Sequence, residues 1–299
     1  MRVSEKMLFD TSVQNLNKAV ERVLRAQEEV STGRKVQRPS DDPVGAGLIL
    51  DFRTSIANLE QYQRNITWGR TALGGAEAAL SGLTGLLARA KELAVGQASG
   101  TATAETRDVT AIEVRQILAQ VLSVGNTRVN DKYIFSGFAT STAPFTAGSY
   151  ATYNGTADTI DVAIDPSVTL ATNLIGSQVF QGAGGVYGST NVLDTLDDLA
   201  TAMETNDAAT IRTIVGTLDN ALDQVSAATA DLGARWNRLD EANFRHVQVK
   251  TQLRSLLSDR EDVDMIKAAS ELTIGQQTLE AARASTARIL QSSLLDFLR

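Results

Sequence analysis

Mostly apolar residues recur at alternating steps of four and three near both ends of the chain, and this pairing constrains the fold more than any other feature. The first series is Phe9, Val13, Leu16, Val20, Val23, Gln27 and Val30; the second is Met265, Ala268, Leu272, Gly275, Leu279, Ala282, Thr286 and Ile289. Such spacing is the a/d seam of a heptad helix. A helix with so narrow a stripe is marginal in water unless another helix covers it. The second series is built from smaller residues than the first, so the two are complementary in volume. Both ends of the chain are therefore expected to lie together.

The stretch after the first series, "STGRKVQRPSDDPVGAG" at 31–47, carries a stop and a start. Gly33 suits the left-handed position just past a helix, with Arg34 and Lys35 near the negative end of the helix dipole. Pro39 discourages helix before it. Asp42 can then cap the next helix, with Pro43 at the first helical position, where a missing N–H costs nothing. Asp41 reads as a solvated neighbour of that cap, with no third ligand type nearby to suggest a metal. A second break, around "LSDREDVDM" at 257–265, precedes the last helix.

Between these breaks lies a nested arrangement. From Pro43 to about Val95 the chain is helix-like, with Ile49, Phe52, Ile56, Leu59, Ile66, Leu73, Ala76, Leu80, Leu83, Leu87 and Leu93 at helical spacing. At about 1.5 Å per residue this predicts a rod on the order of 75 Å long. A loop at 96–106 and a helix over 105–126 complete a helical hairpin. Then the character changes: no Lys or Arg occurs between Lys132 and Arg212, and Tyr and Phe concentrate there. Asn154-Gly155 is a strong two-residue hairpin turn, and Ile160, Val162 and Ile164 alternate with Thr159, Asp161 and Asp165 as in a half-wet strand. Helical periodicity returns at about Asn191, with a long helix expected over 207–255.

The expected fold is mainly α with a β insert: a long antiparallel helical rod, paired terminal coiled-coil helices, and a small mostly-β domain inserted mid-chain. The expected divisions are 1–42 with 262–299 (terminal coiled coil), 43–132 with 191–261 (rod), and 133–190 (insert). Aromatic residues make up only 5% of the chain, which favours helices packed side by side over one thick core.

Little chemistry is legible. A net charge of −7 argues against nucleic acid, whose binders need a basic surface. There is no cysteine, and His246 is the only histidine, so thiol chemistry, His-based metal clusters and His-containing triads are unavailable within one chain. His246 sits in a charged stretch and reads as a surface side chain. The pairs Asp197/Asp198 and Asp262/Asp264 read as solvated caps, and "GAGGVYG" at 182–188 lacks the spacing of a nucleotide loop. Glu5 and Asp10 interrupt what a cleaved signal peptide would need as an apolar run. The uncharged stretches 133–157 and 166–193 are too rich in Gly, Ser and Thr for membrane insertion. The expectation is no enzyme, no metal and no cofactor.

"STGRKVQRPSDDPVGAGLIL" at 31–50, "YIFSGFATSTAPF" at 133–145 and "ASELTIGQQTLEAARASTARILQSSLLDFL" at 269–298 resemble the flagellin superfamily. "PSDDP", the "FSGF" segment ending in "PF", and the closing "LLDFL" are more similar to its hook–filament junction branch than to its filament subunits. The resemblance implies a structural protein whose terminal helices form the inner layer of a tube, with rod and insert outside. It implies export as an unfolded chain, with an export chaperone on the C-terminal helix. It also implies a ring of copies between a preceding hook-associated ring protein and flagellin. The contacts would come from Phe9, Val13, Leu16, Val20, Val23 and Val30 meeting Leu272, Leu279, Ile289, Leu294 and Phe297, within and between subunits. A filament flagellin, or a free-standing coiled-coil module of a secretion or signalling apparatus, are the alternative readings.

Overall fold

A computed structural model describes the backbone of residues 2–297 and the side chains of Met7 and of 10–288. The described chain is mainly α, with two small antiparallel sheets. The order is α1 (Arg2–Thr32), α2 (Pro43–Gln97), α3 (Ala104–Gly125), β1 (Arg128–Val129), β2 (Lys132–Tyr133), β3 (Asp161–Asp165), β4 (Val168–Ala171), α4 (Gly176–Phe180), α5 (Val192–Glu204), α6 (Ala208–Glu261) and α7 (Met265–Phe297). Two compact units divide it: residues 1–58 with 248–299, called here the terminal unit, and residues 59–247, the central unit. Among the described residues, no helix is long and apolar enough to cross a membrane.

The central unit has one continuous core. Ile66, Leu73, Leu80, Leu83 and Leu87 of α2 are fully buried with Val114 and Val121 of α3, Leu196 and Leu199 of α5, and Leu218, Val225 and Leu239 of α6. Helix ends within it are closed by side chains. Thr103 and Thr106 form a reciprocal cap on α3, Asn191 accepts the Asp194 amide at the start of α5, and Asp207 accepts the amides of Ala209 and Thr210 at the start of α6.

The inserted stretch contributes Phe135, Phe145, Ile164, Leu170 and Phe180 to this same core. Its regular structure is sparse. Asn130 and Asp131, both with positive φ, turn β1 into β2, and β3 pairs antiparallel with β4 from Asp161↔Ala171 to Asp165↔Val168. The hairpin turn thus falls at Pro166-Ser167, not at Asn154-Gly155. That pair lies in irregular chain, with the Asn154 amide bonded to the Pro144 carbonyl at 2.9 Å. Gly155 is required for close packing instead: a Cβ there would stand 2.4 Å from the Tyr153 ring.

His246 also departs from expectation. It is buried, its Nε2 lies 2.6 Å from the Ile164 carbonyl, and its ring stacks on Tyr62 at 5.7 Å. Its charged sequence neighbours face other ways round the helix, so local composition misjudges the one inward position. Gln224 is likewise fully buried and uses three bonds to hold the insert: it accepts the Thr190 amide at 2.9 Å and donates to the carbonyls of Val179 (2.8 Å) and Thr190 (3.0 Å). Tyr153, its phenol pushed up to about 12 by burial, donates to the Phe135 carbonyl at 2.6 Å.

Gln224→Ala leaves a buried amide and two carbonyls without partners, so it should destabilise the central unit by about 2–4 kcal/mol. Chemical denaturation followed by the near-ultraviolet signal measures this; a loss below about 0.5 kcal/mol would show that the insert does not depend on this side chain.

Candidate assembly surface

Within the terminal unit α1 and α7 lie side by side, and their register is set at the point where both connectors break. Gly33 takes φ +69° and closes α1 by donating to the Glu29 carbonyl at 2.9 Å. The strand-like residue after it, Arg34, forms a β-bridge with Asp262. Lys35 donates to the Glu261 carbonyl at 2.7 Å, and Val263 donates to the Gly33 carbonyl at 3.0 Å. The start of one helix is therefore stitched to the end of the other, which makes the pair antiparallel.

A buried carboxylate reinforces the stitch. Glu261 is only 4% exposed, and its Oε1 accepts from Arg34 Nε at 2.5 Å and Arg53 Nη2 at 2.6 Å. The flanking turns are held by aspartates. Asp42 accepts the Gly45 amide at 2.9 Å, with Pro43 as the first residue of α2. Asp41 is more than a solvated neighbour: its Oδ2 accepts the amides of Arg38 at 3.0 Å and Gln37 at 3.4 Å, folding the chain back before the helix starts. Asp264 opens α7 by accepting the amides of Ile266 and Lys267. Asp262 accepts from Ser258 Oγ at 2.5 Å. Among the described residues, no group of three or more His, Asp or Glu is arranged to hold a metal ion.

Farther along, Gly275 packs so closely on Val23 that a Cβ would stand 3.2 Å from its Cγ2. Antiparallel helices keep the sum of facing residue numbers constant, and this contact sets that sum near 298. Leu16 then stands opposite Ala282, Ala19 opposite Leu279, Val23 opposite Gly275, Ala26 opposite Leu272 and Val30 opposite Ala268. Large faces small at every step, as interdigitating helices require.

The seam differs from the heptad expectation at two places. Gln27 is exposed, and Ala26 beside it is buried with Ala19; Met265 is 48% exposed at the first turn of α7. The small residues win because the helices approach closely. Val13, Leu16, Val20, Val23 and Val30 on α1, and Leu272 and Leu279 on α7, are half-buried. The side chains of Phe9, Ile289, Leu294 and Phe297 lie outside the described residues. Two helices cover each other on one side only. A groove of about 280 Å3, lined by Ala19, Ala26, Gly275 and Ile274 between Arg22, Arg25, Glu29 and Glu271, remains open along the pair. Ile266 and Ile274 are exposed at 82% and 61%. Sequence reasoning missed Glu261, whose sequence context of alternating charges gives no sign of burial.

The helix pair thus keeps apolar surface open to solvent on one side. The chain belongs to the flagellin family: residues 3–140 match the bacterial flagellin N-terminal helical region, and residues 215–298 match the bacterial flagellin C-terminal helical region. It is 27% identical to flagellar hook-associated protein 3 of Escherichia coli, over 94% of this chain and 95% of that protein. It is 26% identical to the flagellin of Bacillus subtilis over 100% of both. A solved structure of a putative flagellar hook-associated protein from Vibrio parahaemolyticus superposes with a TM-score of 0.67 at 25% identity, covering 74% of this chain and 100% of that one.

Removing the Glu261 carboxylate leaves two guanidinium groups facing each other. Both arginines are partly exposed, which limits the cost, so Glu261→Ala should lower the stability of the terminal unit by about 1–3 kcal/mol. It should also open the connector to trypsin at Arg34 and Lys35. Unchanged cleavage kinetics at these two bonds would count against the stitch.

Proposed function

We propose that this chain is a structural subunit of the bacterial flagellum that acts as the adaptor between hook and filament. The observation that carries the reading is the seam of α1 and α7, which one pair of helices covers only on one side and which leaves apolar surface for further helices. The full-length similarity to flagellar hook-associated protein 3 supports the junction role, as do "PSDDP" at 39–43 and "LLDFL" at 294–298. A filament subunit would use the same seam, and the similarity to a flagellin over the whole chain makes that the second reading.

In this role the chain assembles with itself in a ring, docks on the preceding hook-associated ring protein and templates the first flagellin. It works outside the cell and is held beforehand by an export chaperone on the C-terminal helix, because an exposed apolar seam invites aggregation. The interface is formed by Phe9, Val13, Leu16, Val20, Val23 and Val30 with Leu272, Leu279, Ile289, Leu294 and Phe297. It performs no catalysis: its contribution is shape and the free energy of helix association.

Electron microscopy of cells lacking this gene should show bare hooks, with flagellin shed into the medium; normal filaments would overturn the junction reading. Val20→Asp puts a carboxylate into the half-covered seam, where an unpaired charge is strongly disfavoured. The variant should lose incorporation into flagella while the central unit keeps its melting temperature. Normal incorporation of the variant would remove the seam from the account.

A further inference from the structure

Asn154-Gly155 is the only Asn-Gly pair in the chain, and glycine, with no Cβ, leaves its backbone nitrogen more open to the preceding side chain than any other residue does. The pair lies in irregular chain between β2 and β3, with Asn154 exposed and Gly155 half-buried. The amides on either side are tied down: Asn154 donates to the Pro144 carbonyl at 2.9 Å, and Thr156 donates to the Ser136 carbonyl at 3.0 Å. The Gly155 amide between them donates to no backbone carbonyl among the described residues. The Asn154 side chain is held by one exposed bond, from Nδ2 to Thr146 Oγ1 at 3.1 Å, which water can replace at little cost.

Asn126 and Asn173, which bond to the same stretch of chain, are fastened at both atoms of the amide. Asn126 accepts from the Phe145 amide at 3.1 Å and donates to its carbonyl at 2.9 Å. Asn173 accepts from the Ile160 amide at 2.7 Å and donates to the Asp158 carbonyl at 3.2 Å. Each is followed by a residue with a side chain, Thr127 or Leu174, which crowds the backbone nitrogen.

We propose that Asn154 is a self-modifying site of the folded chain: it deamidates, and the isoaspartate among its products loosens the insert. The Gly155 nitrogen, its proton lost to hydroxide, attacks Cγ of Asn154. The N–Cγ bond forms as the Cγ–Nδ2 bond breaks, and the side-chain nitrogen takes up a proton from water and leaves as ammonia. Water then opens the five-membered imide at either carbonyl: opening at Cγ gives aspartate, and opening at the main-chain carbonyl gives isoaspartate. In isoaspartate the main chain runs through Cβ and Cγ, so one extra carbon separates residue 154 from Gly155. The surroundings are close, since even a Cβ on Gly155 would stand 2.4 Å from the Tyr153 ring and 2.8 Å from the Ser136 carbonyl. Relief comes at the expense of the Thr156–Ser136 bond or of the Tyr153 phenol, which donates to the carbonyl of the core residue Phe135. Aspartate keeps the chain length, and its carboxylate can accept from the Thr146 hydroxyl. The inference holds whatever the chain assembles into.

The test holds the full chain in mildly alkaline buffer, folded and, in parallel, unfolded in urea, and follows the mass increase of an amide-to-acid change on the peptide that carries residue 154. Isoaspartate is counted by enzymatic methylation of its free carboxylate. A site shielded by the fold would react only through local opening; this one is expected to react, folded, within about tenfold of the unfolded rate. Asn126 and Asn173 should stay intact over the same interval in the folded chain. Asn154→Gln should show no conversion at this position, because its longer side chain does not close the same ring; the position is exposed, so the variant keeps its fold. After separation of the products by ion exchange, the isoaspartate fraction should melt below the unmodified chain, while Asn154→Asp melts with it. A folded rate slower than that tenfold limit would overturn the site, and so would equal conversion at Asn126 or Asn173. An isoaspartate fraction that melts with the unmodified chain would overturn the loosening of the insert.

Discussion

The β-bridge between Arg34 and Asp262 is the constraint on which the terminal unit depends. Each of the long helices that meet there ends with carbonyls that its own backbone cannot satisfy. The chain solves this by letting the two breaks answer each other: Lys35 caps the last carbonyl of α6, and Val263 bonds the carbonyl of Gly33. A bridge of two backbone bonds fixes the relative height of α1 and α7. That height decides whether Ala26 faces Leu272 and Val23 faces Gly275, or whether large residues collide. A slip of one helical turn would bring Val23 against Leu279 or Leu272, with no room for either. The carboxylate of Glu261, drawn in by two arginines, makes the slip costlier still.

In the central unit the dependence runs the other way, from insert to helices. The stretch from 133 to 211 has no cation of its own, so its carboxylates take partners from elsewhere. Arg115 of α3 reaches Asp197 and Glu204 of α5, and Arg245 of α6 reaches Asp165 of β3. The Arg115 bond holds the Glu204 carboxyl below its ordinary range, with the burial effect opposing it. The backbone is treated likewise. Asn65 donates to the Ala163 carbonyl, Arg235 to those of Ala171 and Asn173, and Asn126 exchanges two bonds with Phe145. With strands this short, the insert draws part of its polar pairing from the helices, and its aromatic side chains fill their core.

These two kinds of dependence explain what was legible beforehand. Helical periodicity along α2 and α6 marks the buried residues from Ile66 to Leu87 and from Ile211 to Leu239, because burial there follows from spacing alone. Gly33, Asp42 and Pro43 are readable because stop and start chemistry is local. Glu261 and His246 were hidden: each is the one inward residue in a charged stretch, and its partners lie far away in sequence. Asn154-Gly155 misled for the opposite reason. Its turn propensity is genuine, but the close approach of Tyr153 and Ser136 uses the missing side chain for packing, and a proline-containing turn closes the hairpin. Ala26 displaced Gln27 because a seam this tight selects for small size, which a count of apolar residues does not weigh.

The two units differ in how completely they satisfy themselves, and that difference bears on assembly. The central unit buries Gln224 and His246 with their bonds made, around one continuous apolar core. The terminal unit, by contrast, places valines and leucines at half burial along the α1–α7 pair. Such a pair gains little from its own association, since one half-covered seam must offset the ordering of two helices of about thirty residues. Its remaining free energy is available only when further helices cover the other side. On the proposed assembly reading, helices of neighbouring copies would supply that cover, and polymerisation would be coupled to completion of the fold.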